Sequence, residues 1–106
     1  MVKQNDLSAK GPTQRQLRVG EMLRRAVSDV LLRGDIHDAD LAHVSVTVGE
    51  VRSTPDLKLA LVYVLPLGGE NADIVINALN RNKYEIIRSV NKLVSLKYSP
   101  DLKFVL

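Results

Sequence analysis

Basic side chains in the last third of the chain are spaced so that they could contact phosphate groups. The residues concerned follow one another at steps of four, three and four, and they are Arg81, Glu85, Arg88 and Lys92. In a continuous helix these steps place the side chains in one row, which is basic at three positions and acidic at one. Such a row is typical of a surface that binds a polyanion, although the solvated face of an ordinary amphipathic helix has the same pattern.

The residues around this row predict two helices separated by a break. Asn80 and Asn82 are poor helix formers, so segment 80–83 is expected to kink or interrupt the helix. Asn71 is expected to cap the first of these two helices. An apolar stripe with helical periodicity predicts that the second helix packs on a core. The stripe consists of Ile86, Ile87, Val90, Leu93 and Val94.

The remainder of the chain predicts one more helix and three strands. In the first third of the chain, apolar residues recur at helical spacing and predict a helix, which Gly34 is suited to end. Two segments of alternating polarity are joined by the turn at 53–56 and predict an antiparallel hairpin, with Gly49 as a bulge. The helices are expected over 14–33, 72–81 and 83–96, and the strands over 44–52, 57–65 and 102–106. This is an α+β fold of order α-β-β-α-α-β, with helices on one face of a three-stranded sheet.

The composition limits the class of protein. A chain of 106 residues has room for one domain, and the absence of cysteine excludes disulfides, thiolate metal sites and cysteine nucleophiles. Segments 14–33 and 71–97 each hold five basic and two acidic residues, whereas segment 34–70 holds two basic and six acidic ones. Positive charge on the helical segments favours oriented binding to a polyanion. The sequence contains no recognisable signal peptide or membrane span, so we expect a cytoplasmic protein. We also expect it to be a monomer.

The acidic half of the chain allows other interpretations. Several residues of types that ligate metals lie close together, namely Asp35, His37, Asp38, Asp40 and His43. Their spacing matches neither a helical histidine pair nor a calcium loop, so no metal or other cofactor is predicted. No nucleophile–base pair or phosphate loop is recognisable, so we predict neither an enzyme nor a small-molecule substrate. The alternative to polyanion binding is a protein-docking module that uses the acidic 35–56 face without direct RNA contact.

The two ends of the chain give weaker signals. Residues 1–13 are polar, contain Gly11-Pro12 and lack apolar periodicity, so we expect a disordered leader followed by one domain over 14–106. The chain ends within an apolar strand, and we expect a native C-terminal extension beyond Leu106.

Three stretches form a set that is more specific than any one of them alone. The first is Arg15-Gln-Leu-Arg-Val-Gly-Glu21, at the start of the first helix. The second is the hairpin Val48-Gly-Glu-Val-Arg-Ser-Thr-Pro-Asp-Leu-Lys-Leu-Ala-Leu-Val-Tyr-Val64. The third is Leu96-Lys-Tyr-Ser-Pro-Asp-Leu-Lys-Phe104. In order and spacing, the set resembles the ribosome-binding factor A family, bacterial assembly factors of the small ribosomal subunit.

The resemblance implies a single type II KH-like domain that binds the immature small ribosomal subunit through its ribosomal RNA. It further implies a role in late maturation of that subunit and in processing of the rRNA precursor. Together with the charge pattern, it makes the following residues the expected RNA contacts: Arg18, Arg25, Arg81, Asn82, Lys83, Arg88, Lys92 and Lys97.

One position departs from the family pattern. Family members usually have an Ala-x-Gly kink between the second and third helices, whereas this chain reads Asn82-Lys-Tyr-Glu85. We expect Asn82, a residue type that tolerates unusual backbone angles, to form the kink in place of glycine. Lys83 is then expected to add a phosphate contact at the break.

Overall fold

The computed structural model describes residues 11–67, 71–96 and 99–106, and their elements follow the predicted order. A short 3₁₀ turn, Ala39–Leu41, lies in the connector after the first helix. The main elements are α1, Gln14–Arg33; β1, Val46–Ser53; β2, Leu59–Pro66; α2, Ala72–Arg81; α3, Lys83–Leu93; and β3, Asp101–Val105. The predicted α+β class and the order α-β-β-α-α-β are confirmed.

Helix α1 begins and ends where the sequence predicts, because both ends are capped. At its start, Gln16 N donates to Thr13 Oγ1 at 3.2 Å, and Thr13 N donates to Gln16 Oε1 at 2.9 Å. This reciprocal pair is a capping box, which satisfies two backbone N–H groups at the helix start. At its end, Gly34 has a φ of 71°, a left-handed conformation that glycine adopts without steric penalty.

The core lies between the helices and the inner face of the sheet. Alternate residues of β2 point inward, so Ala60 and Val62 are fully buried while Leu65 on the other face is exposed. The helices and β3 supply the remaining large buried side chains, which are Leu23, Val27, Val30, Leu79, Ile86, Leu102 and Phe104. Burial of each such side chain contributes about 1.5–3 kcal/mol, so this cluster is the main source of stability.

The sheet has the order β1-β2-β3, with β1 antiparallel and β3 parallel to the central strand. The β1–β2 register shifts between Val48 and Glu50, which confirms the bulge predicted at Gly49. Asn80 of α2 covers the outer edge of β3, since its amide donates to Phe104 O at 3.0 Å and accepts from Phe104 N at 2.9 Å. These bonds satisfy backbone groups that an edge strand would otherwise expose.

Helix α1 crosses β1 at very short range. Gln16 Nε2 donates to Ser53 O at 2.9 Å, and Ser53 Oγ donates to Gln16 O at 3.4 Å. One turn further along, a Cβ atom at Gly20 would stand only 2.5 Å from the Val51 carbonyl oxygen. Glycine permits this approach because it has no Cβ atom. Two residues of the 15–21 stretch therefore determine how α1 packs on the sheet.

Several element boundaries differ from the predictions. Strand β1 begins at Val46 rather than at residue 44. Strand β2 begins at Leu59 rather than at residue 57, because Leu57 has a φ of 60° and belongs to the turn. Helix α3 ends at Leu93 rather than at residue 96, because the backbone of Val94 is extended. Asn71 is the N-cap residue of α2, as predicted, but its backbone is left-handed, with a φ of 62°, and its side chain makes no capping hydrogen bond.

The predicted leader falls mostly on residues that the structure does not describe. Residues 1–10 of the predicted leader lie outside the described residues, whereas Thr13 belongs to the cap of α1. Among the helices of the described residues, none combines the length and the apolar character needed to cross a membrane.

Candidate nucleic-acid interface

Helix α3 presents two basic side chains on the side that faces away from the core. Ile86 and Val90 are buried, and at 100° per residue Arg88 and Lys92 lie on the opposite side of the helix, one turn apart. Both are exposed. Neither forms a salt bridge with any residue that the structure describes. Their charges are therefore available to a ligand such as a phosphate group.

The basic side of α1 lies beside the end of α3. Arg18 and Arg25 are exposed on the side of α1 opposite its buried residues. They line one surface groove together with Leu93 and Val94, which follow Lys92 directly at the end of α3. The structure therefore brings the predicted residues of α1 next to α3, as one ligand spanning both helices would require.

Arg18 and Arg25 differ in their intramolecular contacts. Arg25 Nε lies 3.3 Å from Glu21 Oε2, a carboxylate that Arg24 contacts more closely, at 2.6 Å. The Arg25 side chain is 77% exposed, so this ion pair is weak and easily exchanged for another anion. Arg18 makes no salt bridge within the described part of the chain. Both can therefore contact an incoming phosphate.

Arg81, in contrast, is held by two carboxylates of the connector after α1. Its Nε and Nη2 donate to the Asp38 carboxylate at distances between 2.8 and 3.1 Å, and Nη2 also donates to Asp40 Oδ2 at 3.1 Å. Asp38 further accepts from Asn82 Nδ2 at 2.7 Å and from the backbone N of Asp40 at 3.0 Å. The hydrogen bonds from Asn82 and then Arg81 lower the pKa of Asp38 from 3.8 to about 2. Asp38 is therefore ionised at neutral pH and offsets the charge of Arg81.

Asn82 separates α2 from α3, so the predicted break is confirmed, but its cause differs from the expectation. Its φ of −101° and ψ of 14° are not left-handed, and its side chain donates to Ala78 O at 2.8 Å as well as to Asp38. Lys83, the next residue, is also engaged: its Nζ lies 3.2 Å from Asp101 Oδ2, and its side chain is only 24% exposed. The basic residues at the break are thus largely paired within the protein.

The predicted contact residues therefore fall into two groups. The group with exposed and available charge comprises Arg18, Arg25, Arg88 and Lys92. The group engaged at the α2–α3 junction comprises Arg81, Asn82 and Lys83. Lys97 lies outside the described residues. For all of them, contact with RNA stays a prediction.

Sequence reasoning missed the role of Asp38, which it considered only as a metal-type or docking residue. The available signal was local: an Asp two residues before another Asp suggests a turn or helix cap, and Asp38 does cap the 3₁₀ turn. That signal does not identify Arg81 and Asn82, which are more than forty positions away in the chain, as its partners.

The acidic segment offers less free charge than its composition suggests. Asp38 and Asp40 bind Arg81, and Glu50 binds Arg52 at 2.7 Å. Within residues 11–67, 71–96 and 99–106, no group of three His, Cys, Asp or Glu side chains is arranged to hold a metal ion. Asp38, Asp40 and Glu50 thus each have a basic partner within the protein.

Comparison with known proteins identifies the family. The family model described as ribosome-binding factor A matches residues 15–106. The chain belongs to the ribosome-binding factor A family. It is similar to ribosome-binding factor A of Roseobacter denitrificans, with 65% identity over 96 residues that cover 91% of this chain and 67% of the relative. The resemblance seen in the three sequence stretches is thereby confirmed.

Solved structures agree on the fold. The crystal structure of ribosome-binding factor A from Thermus thermophilus has a TM-score of 0.69 at 23% identity, covering 85% of this chain and 93% of that one. A homology model of T. thermophilus ribosome-binding factor A, fitted into a cryo-EM map of its 30S complex, has a TM-score of 0.63 at 24% identity and covers 80% of this chain and 87% of that one. At these identities the likeness supports the fold alone.

Proposed function

We propose that this protein binds the immature small ribosomal subunit through its ribosomal RNA and assists the late maturation of that subunit, including processing of the rRNA precursor. Membership of the ribosome-binding factor A family supports the ribosomal part of this proposal. The choice of subunit is supported by a member of the same family, T. thermophilus ribosome-binding factor A, a homology model of which was fitted into a cryo-EM map of its 30S complex. The protein acts as a monomer in the cytoplasm, where ribosomes are assembled, and it acts by binding without catalysing a reaction.

One observation about α3 carries the RNA part of the proposal. Arg88 and Lys92 are exposed, one turn apart, and free of salt bridges to the described residues, while Arg18 and Arg25 line a groove at the end of the same helix. Phosphate groups dominate the affinity of proteins for nucleic acids, and arginine and lysine are the side chains that bind them. A surface formed by two adjacent helices can follow a backbone over several nucleotides.

The alternative of an acidic docking face receives less support. That face was expected to use residues such as Asp38 and Asp40, but both are bound to Arg81 in the structure. A partner protein would have to break these contacts before it could use the same carboxylates. RNA binding requires no such rearrangement at Arg88 and Lys92, so we prefer it.

Co-sedimentation with isolated small and large ribosomal subunits, over a series of salt concentrations, tests the proposal. The informative variant is Arg88→Glu/Lys92→Glu. Its matched control is Lys58→Glu/Lys103→Glu, which changes the net charge equally at two exposed lysines that do not belong to α1 or α3. We expect the wild type to pellet with the small subunit only, with an affinity that falls steeply as salt rises. The Arg88/Lys92 variant should bind at least about tenfold more weakly, with a salt slope reduced by about two, while the control changes little.

Three results would count against the proposal. Equal pelleting with both subunits would reduce the function to general RNA affinity. An equal loss in the control variant would mean that net charge matters and the α3 surface does not. Loss of binding on replacing Asp35, an exposed residue of the acidic segment, without loss at Arg88 and Lys92 would favour the protein-docking alternative.

A further inference from the structure

The junction between α2 and α3 is built without glycine. Asn82 keeps an ordinary negative φ of −101°, so backbone freedom does not explain the break. Its side-chain amide instead donates to Ala78 O, one turn back in α2, and to Asp38 Oδ2 in a different part of the chain. The second bond connects the junction to the segment after α1.

The same carboxylate orients Arg81. In a guanidinium group, Nε and Nη2 form one edge and Nη1 points away from it. All hydrogen bonds that Arg81 makes to described residues use Nε or Nη2, and they go to Asp38 and Asp40. The Arg81 side chain is still 53% exposed. Its Nη1 edge can therefore receive a phosphate while the other edge remains bound to Asp38.

Asp38 is itself fixed, and it differs in this respect from Asp40. The Asp38 side chain is 14% exposed and caps the 3₁₀ turn by accepting from the backbone N of Asp40. The Asp40 side chain is 47% exposed, and its one side-chain contact with Arg81 is a single hydrogen bond at 3.1 Å. Asp38 is thus the central residue of the junction, whereas Asp40 is peripheral.

We infer that Asp38 is a positioning residue for RNA binding: it holds Asn82 and Arg81 so that the α2–α3 junction presents Nη1 of Arg81 to the ligand. The inference rests on the proposed function and deepens it, because it assigns an acidic residue a supportive role on a surface that binds a polyanion. Its physical basis is preorganisation, since ordering a long side chain in the free protein removes that entropic cost from binding.

Asp38→Ala and Asp40→Ala form a pair that separates positioning from charge. Both remove one negative charge near Arg81, so a purely electrostatic role predicts tighter binding to RNA for both variants. The positioning role predicts opposite signs. Asp38→Ala should bind the small subunit about two- to tenfold more weakly, the range expected when one long side chain must be ordered on binding. Asp40→Ala should bind equally well or more tightly.

A second variant guards against a trivial loss of fold. Asp38→Asn keeps an oxygen that can accept from Asn82 and Arg81, so it should recover part of the affinity lost in Asp38→Ala. Amide NMR spectra of all variants report the fold, and we expect changes in Asp38→Ala to concentrate at residues 78–84. These spectra do not depend on ribosome binding.

The outcomes are distinct. A folded Asp38→Ala variant that binds as well as the wild type, or more tightly, would overturn the inference. Equal weakening by Asp38→Ala and Asp40→Ala would also overturn it, because the effect would then not be specific to the bonded carboxylate. If Asp38→Ala does not fold, tighter binding by Asp38→Asn than by the wild type would overturn it, because loss of the negative charge would then outweigh any positioning by the carboxylate. If the wild type itself does not pellet with the small subunit, the proposed function has failed, and the inference falls with it.

Discussion

Two junctions in this molecule hold helices in place by different physical means. At the α1–β1 crossing, Gly20 lies against the Val51 carbonyl and Gln16 bonds to Ser53, in a buried setting without charge. At the α2–α3 junction, the contacts around Asp38 involve charged groups that are partly exposed. The first junction depends on shape, and the second depends on charge.

The difference indicates which parts of the sequence serve the fold and which can serve a ligand. Close packing in a buried site is nearly insensitive to salt and pH, so it suits a permanent scaffold. A partly exposed group of charges is screened by salt and titrates with pH, but it can also exchange partners with an anionic ligand. If the contrast holds, a change at the α1–β1 crossing should cost more stability than a change at the α2–α3 junction.

The largest effect should come from Gly20→Val. A Cβ atom at this position would meet the Val51 oxygen at 2.5 Å, and valine adds two further methyl groups. We expect a loss of about 3 kcal/mol or more in the free energy of unfolding, measured by urea denaturation. Asn91→Ala, at an exposed position of α3, is the control for helix propensity and should be neutral or slightly stabilising. A stable Gly20→Val protein would show that α1 can move away from β1 at little cost.

A smaller effect is expected for Gln16→Ala. This change removes the donor to Ser53 O and the acceptor for Thr13 N, and so leaves buried or partly buried backbone groups without partners. The expected loss is about 1–3 kcal/mol in the free energy of unfolding, and it should not vary with salt because no net charge is involved. Gln14→Ala, two positions earlier and exposed, is the matched control. Equal stability of the two variants would contradict the role given to Gln16.

The smallest effect should be an acid-dependent weakening of the α2–α3 junction alone. The pKa of Asp38 is lowered from 3.8 to about 2, so its ionised form stabilises the fold fully above its ordinary pKa, and this contribution is lost as pH falls through about 2. Thermal unfolding of the wild type and Asp38→Asn should differ at neutral pH and converge in acid. In NMR spectra, the side-chain amide of Asn82 should shift with acidification before that of Gln16. A constant gap between the two proteins down to pH 2 would mean that Asp38 does not stabilise this junction through its charge.

Much of the fold could be predicted because the relevant signals are local. The cap of α1 at Gly34, the bulge at Gly49 and the break at Asn82 each depend on residues within about one helical turn or one strand pair. The errors arose where a local preference was overridden. Asparagine side chains favour capping bonds in general, but Asn71, whose backbone is left-handed, makes none at the start of α2. The extended backbone of Val94 ends α3 earlier than its apolar pattern suggested.

The candidate site was predictable only in part. The sequence identified the basic residues of α1 and α3, and the structure brings Arg18 and Arg25 beside the end of α3. The sequence did not distinguish Arg81 from Arg88, because both belong to the same row of charges. Arg81 meets two carboxylates of a distant segment, whereas Arg88 makes no salt bridge in the described part of the molecule.

The sequence by itself determined the order of elements, the ends of α1 and the family, because periodicity, capping and motif spacing are properties of neighbouring residues. Only the tertiary structure decided which of the described basic residues are paired with carboxylates of distant segments. The physical reason is that Coulomb and hydrogen-bond contacts act over a few ångströms of space, irrespective of chain distance. Asp38 and Arg81 are 43 residues apart in the chain, yet their side chains lie 2.8 Å apart in the fold.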